Sequence, residues 1–276
     1  MAPRIEHPIM KTSVEHDDLL SCAVEAARAA GGHALANVGR SSAVAQRFAH
    51  DVKLELDFEC QRKAEEVILH AFPQHKILGE EGGQLESGAD FQWIIDPIDG
   101  TVNFSHGLPL WCSAVGVRQG SEVVAGAVYL PAMNECYTAT FTGPALCNGQ
   151  PIRPSETSRL EDVLILTGLP IDDDSNMPTL EILRALSPRV QKTRIMGAAA
   201  VDICFVACGR ADAYFEYQIY LWDIAAAGLI ARRAGARTEV IEQLTDVRCR
   251  FLVTNGKVHD GVKNIVRKAL GNAATE

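Results

Sequence analysis

Apolar residues along the chain recur with two periods, one helical and one of strand type. From Val14 to Val38, Leu19, Leu20, Ala23, Val24, Ala27 and Ala30 recur three and four residues apart, which predicts an amphipathic helix. A polar loop through Gly39 to Ser42 follows. The pattern predicts a second helix over Phe58–Ala71, ending at Phe72-Pro73 because proline disfavours helical geometry in the residue before it. Short apolar runs predict strands at Lys76–Leu78 and Trp93–Ile95, then a hairpin of Cys112–Arg118 and Val123–Leu130 turning at Gln119-Gly120, extended by Tyr137–Thr140. Beyond the proline-rich stretch Gln150–Ser155 the elements alternate. Strands are expected at Val163–Leu166, Ala213–Tyr217 and Phe251–Thr254, and helices at Leu180–Leu186, Gly197–Cys208, Ile224–Ala234 and Val258–Leu270. This order predicts an α+β fold of stacked helix and sheet layers, with two α+β halves at about residues 1–150 and 151–276.

Composition narrows the function classes. With 47% hydrophobic and 22% charged residues the chain is that of an ordinary globular protein. Its formal charge of -9 argues against a nucleic-acid surface, which needs clustered Lys and Arg. An acidic protein can still bind a phosphorylated substrate if metal ions supply the positive charge. The eight cysteines form no CxxC pair and no short-spaced framework, so they read as reduced thiols of a cytoplasmic protein. Cys204 and Cys208, one helical turn apart, read as buried small hydrophobes. The N-terminal segment has no signal-peptide core and no stretch is apolar enough to span a membrane, so no membrane association is expected.

The sharpest chemical feature is Trp93-Ile94-Ile95-Asp96-Pro97-Ile98-Asp99-Gly100-Thr101, a buried strand delivering two carboxylates into a tight turn stiffened by Pro97. Two hard oxygen anions this close repel unless cations lie between them, an arrangement suited to Mg²⁺. The Ile98 carbonyl is a further oxygen, and Gly100 and Thr101 offer backbone N–H groups to a phosphate. The bland alternative is an Asx-turn after a strand. Five fixed identities, Asp, Pro, Asp, Gly and Thr, recur by chance only about once in a million starts. Upstream, Gly79-Glu80-Glu81-Gly82-Gly83 is a glycine-flanked acidic pair that reads as a solvated loop unless its strand lies beside that of Trp93. Downstream, Asp223 reads locally as the N-cap of the Ile224 helix, and Asp57 stands near the start of the second helix.

On these residues the chain resembles the inositol monophosphatase family of metal-dependent, lithium-sensitive sugar phosphatases, over nearly its whole length from about Leu19 to Ala269. The matching segments are Gly79-Glu80-Glu81, Asp96 through Phe104, and Trp222-Asp223-Ile224-Ala225-Ala226-Ala227-Gly228, supported by Cys147-Asn148-Gly149, Gly197 through Val201, and Gly209 through Glu216. The resemblance implies a layered α-β-α-β-α sandwich with the active site between its halves. It further implies two or three Mg²⁺ ions and, as in most relatives, a homodimer. By it, Glu80, Asp96 and the Ile98 carbonyl hold a first ion, Asp96, Asp99 and Asp223 a second, and Glu80 a weaker third. Glu80 with Thr101, supported by Asp57, orients and deprotonates a water for in-line attack. Asp99, Gly100, Thr101, Ala199 and Glu216 meet the substrate. One segment departs from the family's Asp-x-Val-Thr-x-x-Asp. In Asp51-Val52-Lys53-Leu54-Glu55-Leu56-Asp57 the final Asp57 is kept, Lys53-Leu54 replaces Val-Thr, and no lysine lies between Gly39 and His50. That difference falls on the third ion and on lithium sensitivity.

Val102-Asn103-Phe104 after the Asp-Gly-Thr unit, in place of the Lys-Glu of the family's nucleotide phosphatases, points to the inositol branch and to a small phosphorylated polyol or sugar. The expected activity is therefore inositol-1-phosphate hydrolysis, with fructose 1,6-bisphosphate and histidinol phosphate as alternatives on the same scaffold. Two other classes compete. A catalytically silent metal-binding interaction protein is expected to have lost one of Glu80, Asp96, Asp99, Thr101 or Asp223, all present here. A glycosidase using Glu80 and Asp96 needs no divalent metal and survives chelation.

Overall fold

The structure, a computed structural model, describes residues 13–40, 44–47, 52–83, 90–169 and 173–273. The expectations for the N-terminal segment before Ser13, for residues 41–42 of the Gly39–Ser42 loop and for Asp51 concern positions outside the described residues. Helix α1 (Ser13–Ala36) leads to a hairpin of β1 (Val44–Arg47) and β2 (Val52–Leu54), then to α2 (Glu55–Ala71). Strands β3 (Lys76–Gly79), β4 (Gly82–Gly83) and β5 (Gln92–Asp99) precede the short helix α3 (Thr101–Ser105). The first sheet is completed by β6 (Cys112–Gln119), β7 (Glu122–Leu130), β8 (Glu135–Thr140), β9 (Leu146–Cys147) and β10 (Gln150–Pro151). Its order is β10-β9-β8-β7-β6-β5-β3-β4, with β3 and β5 parallel. Next come β11 (Leu164–Thr167), α4 (Asp173–Leu186), β12 (Lys192–Ile195), α5 (Ala199–Ala207) and β13 (Ala213–Tyr220). The chain ends with α6 (Leu221–Ala234), β14 (Arg237–Gln243), β15 (Arg248–Thr254) and α7 (His259–Ala273). The second sheet runs β12-β11-β13-β15-β14.

Three apolar clusters stack these elements into α-β-α-β-α layers. Alanines 23, 26, 27, 30 and 34 of α1 pack with Trp93, Ile95 and Val115 on the outer face of the first sheet. Between the sheets, α5 and α6 pack with Ala114, Val128, Tyr214 and Phe251. On the far face of the second sheet, Ile182 and Leu186 of α4 meet Val262 and Val266 of α7. Because β5 is covered on both faces, all eight of its residues are buried, polar ones included.

The seat of α6 on the first sheet depends on a cross-strand glycine pair. Gly116 of β6 lies opposite Gly126 of β7. A Cβ on Gly126 would lie 2.9 Å from Ala226 Cα, and one on Gly116 would lie 3.2 Å from Ala226 N. The helix therefore rests on strand backbone, which fixes the height of its N-terminus above β5.

The structure extends several predicted elements. Helix α2 starts at Glu55 and α6 at Leu221, each a few residues ahead of the apolar pattern, because their first turns are held by a carboxylate. Helix α4 starts at Asp173 and carries Pro178 inside it, a residue that weighs against a helix when sequence alone is considered. Strands β12 and β14 were not expected. They are edge strands, largely solvent-facing, whose Lys-Thr-Arg-Ile and Arg-Thr-Glu-Val-Ile-Glu-Gln sequences lack a clear apolar face. All eight cysteines are free, and Cys204 sits in the core as expected. Among the described residues no helix is long and apolar enough to cross a membrane.

Gly126→Ala is expected to destabilise the protein by about 1–2 kcal/mol in urea unfolding, because forcing α6 off the sheet outweighs relief of a glycine in a strand. Unchanged or raised stability would show that α6 does not bear on Gly126.

Candidate active site

Residues three apart on a regular strand face opposite sides of the sheet. Asp96 and Asp99 on β5 nevertheless face the same side. The register with β6 runs Ile95↔Val115 and Asp96↔Ala114, then Asp99↔Cys112, so β5 takes one residue more than its partner between the last two pairs. This is a β-bulge at Pro97-Ile98, not the free turn expected from sequence. Pro97 has no N–H to give the ladder, and its carbonyl accepts the Ser113 hydroxyl at 2.6 Å. Beyond the bulge, Ile98 joins Trp93 and Ile95 in the outer cluster, and Asp99 turns with Asp96 toward α5 and α6. Gly100 ends the strand at φ +87°, and a Cβ there would lie 3.0 Å from both the Leu110 carbonyl and Ala198 Cβ.

Each remaining acid is delivered by its own element. Strand β3 lies parallel to β5 with Gly79 opposite Ile95, and the Glu80 N–H donates to the Ile95 carbonyl at 3.0 Å. That is the adjacency on which a site role for Glu80 was conditional. Asp223 is the third residue of α6, not its N-cap, and its Oδ2 accepts the Tyr220 N–H at 2.9 Å. Asp57 holds the same position in α2, accepting the Leu54 N–H at 2.6 Å. Thr101 donates its hydroxyl to the Ile98 carbonyl at 2.9 Å. Asp99 accepts the N–H groups of Ala199 at 3.0 Å and Ala200 at 2.8 Å. Helix α5, whose own N-cap is Ala198, is thus capped by a carboxylate from the other sheet.

Carboxylate oxygens of Asp96, Asp99 and Asp223 lie within 4.8 Å of one another. Glu80, Ile98, Gly100, Thr101, Ala199 and Glu216 line the same cleft, of about 310 Å³, while Asp57 lies outside its lining. A larger groove of about 420 Å³ between α4 and α7 shares no residue with it and lacks the acid cluster. Among the described residues, the acids lining the cleft are Glu80, Asp96, Asp99, Asp202, Glu216 and Asp223, and no Lys, Arg or His is found there. Burial first, and then the charges of Glu80, Asp99 and Asp223, push the Asp96 carboxyl well above the usual carboxylate range. Asp99 is pushed up to about 6 by burial, against the pull of the α5 amides. Glu216 is pushed up to about 8, again by burial, with the Tyr214 hydrogen bond opposing. One oxygen of Asp96, Oδ1, is buried without a hydrogen-bond partner. Three converging carboxylates with an orphaned oxygen among them are a donor set that fits a hard divalent cation.

Residues 15–269 match the sequence profile of the inositol monophosphatase family. The chain belongs to that family. It is 34% identical to the fructose-1,6-bisphosphatase/inositol-1-monophosphatase of Thermotoga maritima, over 92% of this chain and 97% of that one. It is 36% identical to the Nus factor SuhB of Haemophilus influenzae, over 79% and 83% of the two chains. The solved inositol monophosphatase of Anabaena (Nostoc) sp. PCC 7120 superposes with a TM-score of 0.82 at 30% identity, covering 92% of this chain and 97% of that one. The family is one of phosphomonoesterases, and this chain is a phosphatase of the inositol monophosphatase family.

Sequence reasoning missed three residues of this phosphatase's cleft and its supports. Gln61 of α2 accepts the Glu81 N–H at 2.8 Å and so steadies the loop that carries Glu80. Asn103 donates to the Leu110 and Met196 carbonyls at 2.7 and 2.8 Å, tying α3 to the segment before α5. Asp202, inside an otherwise apolar helix, lines the cleft. Gln61 acts through a contact distant in sequence and carries no local signal, while Asn103 reads in the sequence only as part of the Val102-Asn103-Phe104 segment, not as a tie to Met196. Asp202 carried a local signal, a lone acid among apolar helical positions.

Asp99 and Glu216 keep their protons in the folded state to about pH 6 and 8, whereas the unfolded chain releases them near pH 4. Their contribution to stability is full below that pH and is lost as pH rises through the folded values. The melting temperature of metal-free protein is therefore expected to fall between about pH 5 and 8, and saturating Mg²⁺ to restore it. A flat profile without metal would contradict this electrostatic account.

Proposed function

We propose that the chain is a Mg²⁺-dependent phosphatase of polyol phosphates, inositol 1-phosphate first among them, acting at the acidic cleft. The cleft's charge balance carries this reading: among the described residues, its lining holds six carboxylates and no Lys, Arg or His. A phosphate dianion is repelled by such a wall unless divalent cations come between. Asp96, Asp99, Asp223, Glu80 and the Ile98 carbonyl would hold two Mg²⁺ ions, with a third leaning on Glu80. Bound Mg²⁺ supplies positive charge to the phosphate oxygens and acidity to a water.

The protein groups then have distinct tasks. Glu80 and Thr101 orient the attacking water and take its proton, with Asp57, which accepts the Leu54 N–H at the start of α2, supporting Thr101. Backbone N–H groups at Gly100 and Thr101 receive the phosphate, and Glu216 with the Ala199 backbone meets the ring hydroxyls. Attack is in line, with no covalent phosphoenzyme. The site draws on both halves, about residues 1–150 and 151–276, so neither half works alone. The free cysteines support a reducing, cytoplasmic setting.

The Thermotoga relative's name covers both fructose-1,6-bisphosphatase and inositol-1-monophosphatase, which keeps fructose 1,6-bisphosphate as the second substrate to test. The name Nus factor belongs to the Haemophilus relative, and the formal charge of -9 weighs against direct nucleic-acid contact here. Phosphate release should be measured from inositol 1-phosphate, fructose 1,6-bisphosphate, histidinol phosphate and adenosine 3′,5′-bisphosphate. Release is expected with Mg²⁺, fastest from inositol 1-phosphate, and none with chelator. Asp96→Asn is expected to lower kcat by about a thousandfold in a folded protein. No release from any ester under Mg²⁺ would sink the proposal, and retained activity in Asp96→Asn would remove the metal assignment.

A further inference from the structure

Helix α5 is apolar apart from one residue. Ala200, Val201, Ile203, Cys204, Val206 and Ala207 are buried around Asp202, which is itself 1% exposed. Asp202 lies one turn below the N-terminus that Asp99 caps, with its N–H bonded to the Ala198 carbonyl at 3.0 Å. Its side chain lines the cleft, and Oδ1 is buried with no hydrogen-bond partner. The Tyr214 hydroxyl gives its proton to Glu216 Oε2 rather than to Asp202. Both Asp99 and Glu216 are close enough for their charges to act on Asp202.

An unpartnered buried carboxylate destabilises a fold, more so beside other acids. Nothing in the packing of α5 calls for one, since an apolar residue would suit the neighbours better. Asp202 lines the same cleft as Glu216, which stands on strand β13 and lies near enough for its charge to act on Asp202. A ligand presenting two hydroxyl groups on one side of a ring would give one to each acid. An ionised carboxylate accepts from a hydroxyl, and a protonated one both accepts and donates, so either state of Asp202 has a partner in a polyol.

We infer that Asp202 is a second specificity-determining acid, pairing with Glu216 to bind two hydroxyls of a polyhydroxylated ring. The inference rests on the phosphatase reading of the cleft and narrows it to substrates with adjacent ring hydroxyls. Sugars or cyclitols fit this wall, whereas phosphate esters of plain alcohols leave both acids unmatched.

The test compares kcat/KM for inositol 1-phosphate and cyclohexyl phosphate, the same ring with and without hydroxyls, in wild type, Asp202→Ala and Asp202→Asn. The ratio of the two is expected to fall about 10- to 100-fold in Asp202→Ala, carried more in KM than in kcat. Asp202→Asn, which keeps an acceptor, should lie between. Asp202→Ala should melt at or above the wild-type temperature, because it removes an unmet buried carboxylate. An unchanged ratio in folded Asp202→Ala overturns the inference. So does a lowered melting temperature with equal losses on both esters, the signature of a purely structural residue. If wild type cleaves neither ester, the phosphatase reading fails separately. Calorimetric binding of free myo-inositol then decides the role of Asp202 alone, with at least fivefold weakening in Asp202→Ala supporting it and no change overturning it.

Discussion

Asp96 and Asp99 leave one face of a fully buried strand only because β5 slips by a residue against β6 at Pro97-Ile98. Without that slip, alternation would send Asp99 into the cluster under α1 and α2, where Ile98 now packs. With it, two buried acids share one site and repel, and much of the surrounding structure answers that repulsion. Asp99 is held by two amides of α5, Asp223 by the N-terminal amide of α6, and Glu80 by the pairing of β3 with β5. Fixing the acids in this way stores unfavourable electrostatic energy, and on the proposed function a bound divalent cation would release it.

The cap that Asp99 places on α5 has a second consequence. It ties β5 of the first sheet to a helix packed between the two sheets, so the site's geometry depends on how the sheets stack. The glycine pair under α6 sets the same spacing from another direction, bringing Asp223 down to Asp96. On the proposed function, reaction chemistry and substrate choice lie on different elements: β5 and the residues just after β3 and β5 supply Asp96, Asp99, Glu80 and Thr101, while α5 and β13 supply Asp202 and Glu216. Family members can keep the former while varying the latter.

Much of this was legible in the sequence where chemistry is local. The run from Asp96 to Thr101 marked two carboxylates brought close together, and the apolar periods gave the covering helices and the buried strands. The bulge was not legible, since Pro97 is equally at home in a turn, and only the register with β6 separates the two. Asp223 read as a helix cap because Ile224 begins the apolar pattern, while the helix begins at Leu221. Edge strands β12 and β14 escaped for lack of an apolar face. Asp202 escaped because an acid in a helix ordinarily points to solvent, and only the placement of Glu216 on a strand far along the chain gives it a neighbour. The unusual Lys53-Leu54 segment forms strand β2 and leads straight into the turn that Asp57 anchors.

The most direct measurement is anomalous diffraction from crystals of the full chain soaked in Mn²⁺, a heavier stand-in for Mg²⁺ with the same preference for hard oxygen. If the bulge exists to set a cation between paired carboxylates, the strongest peak lies within bonding distance of both Asp96 and Asp99, with Asp223 closing the site, and disappears in Asp96→Asn. Mn²⁺ bound elsewhere at saturation, or a peak that persists unchanged in that variant, would contradict the account.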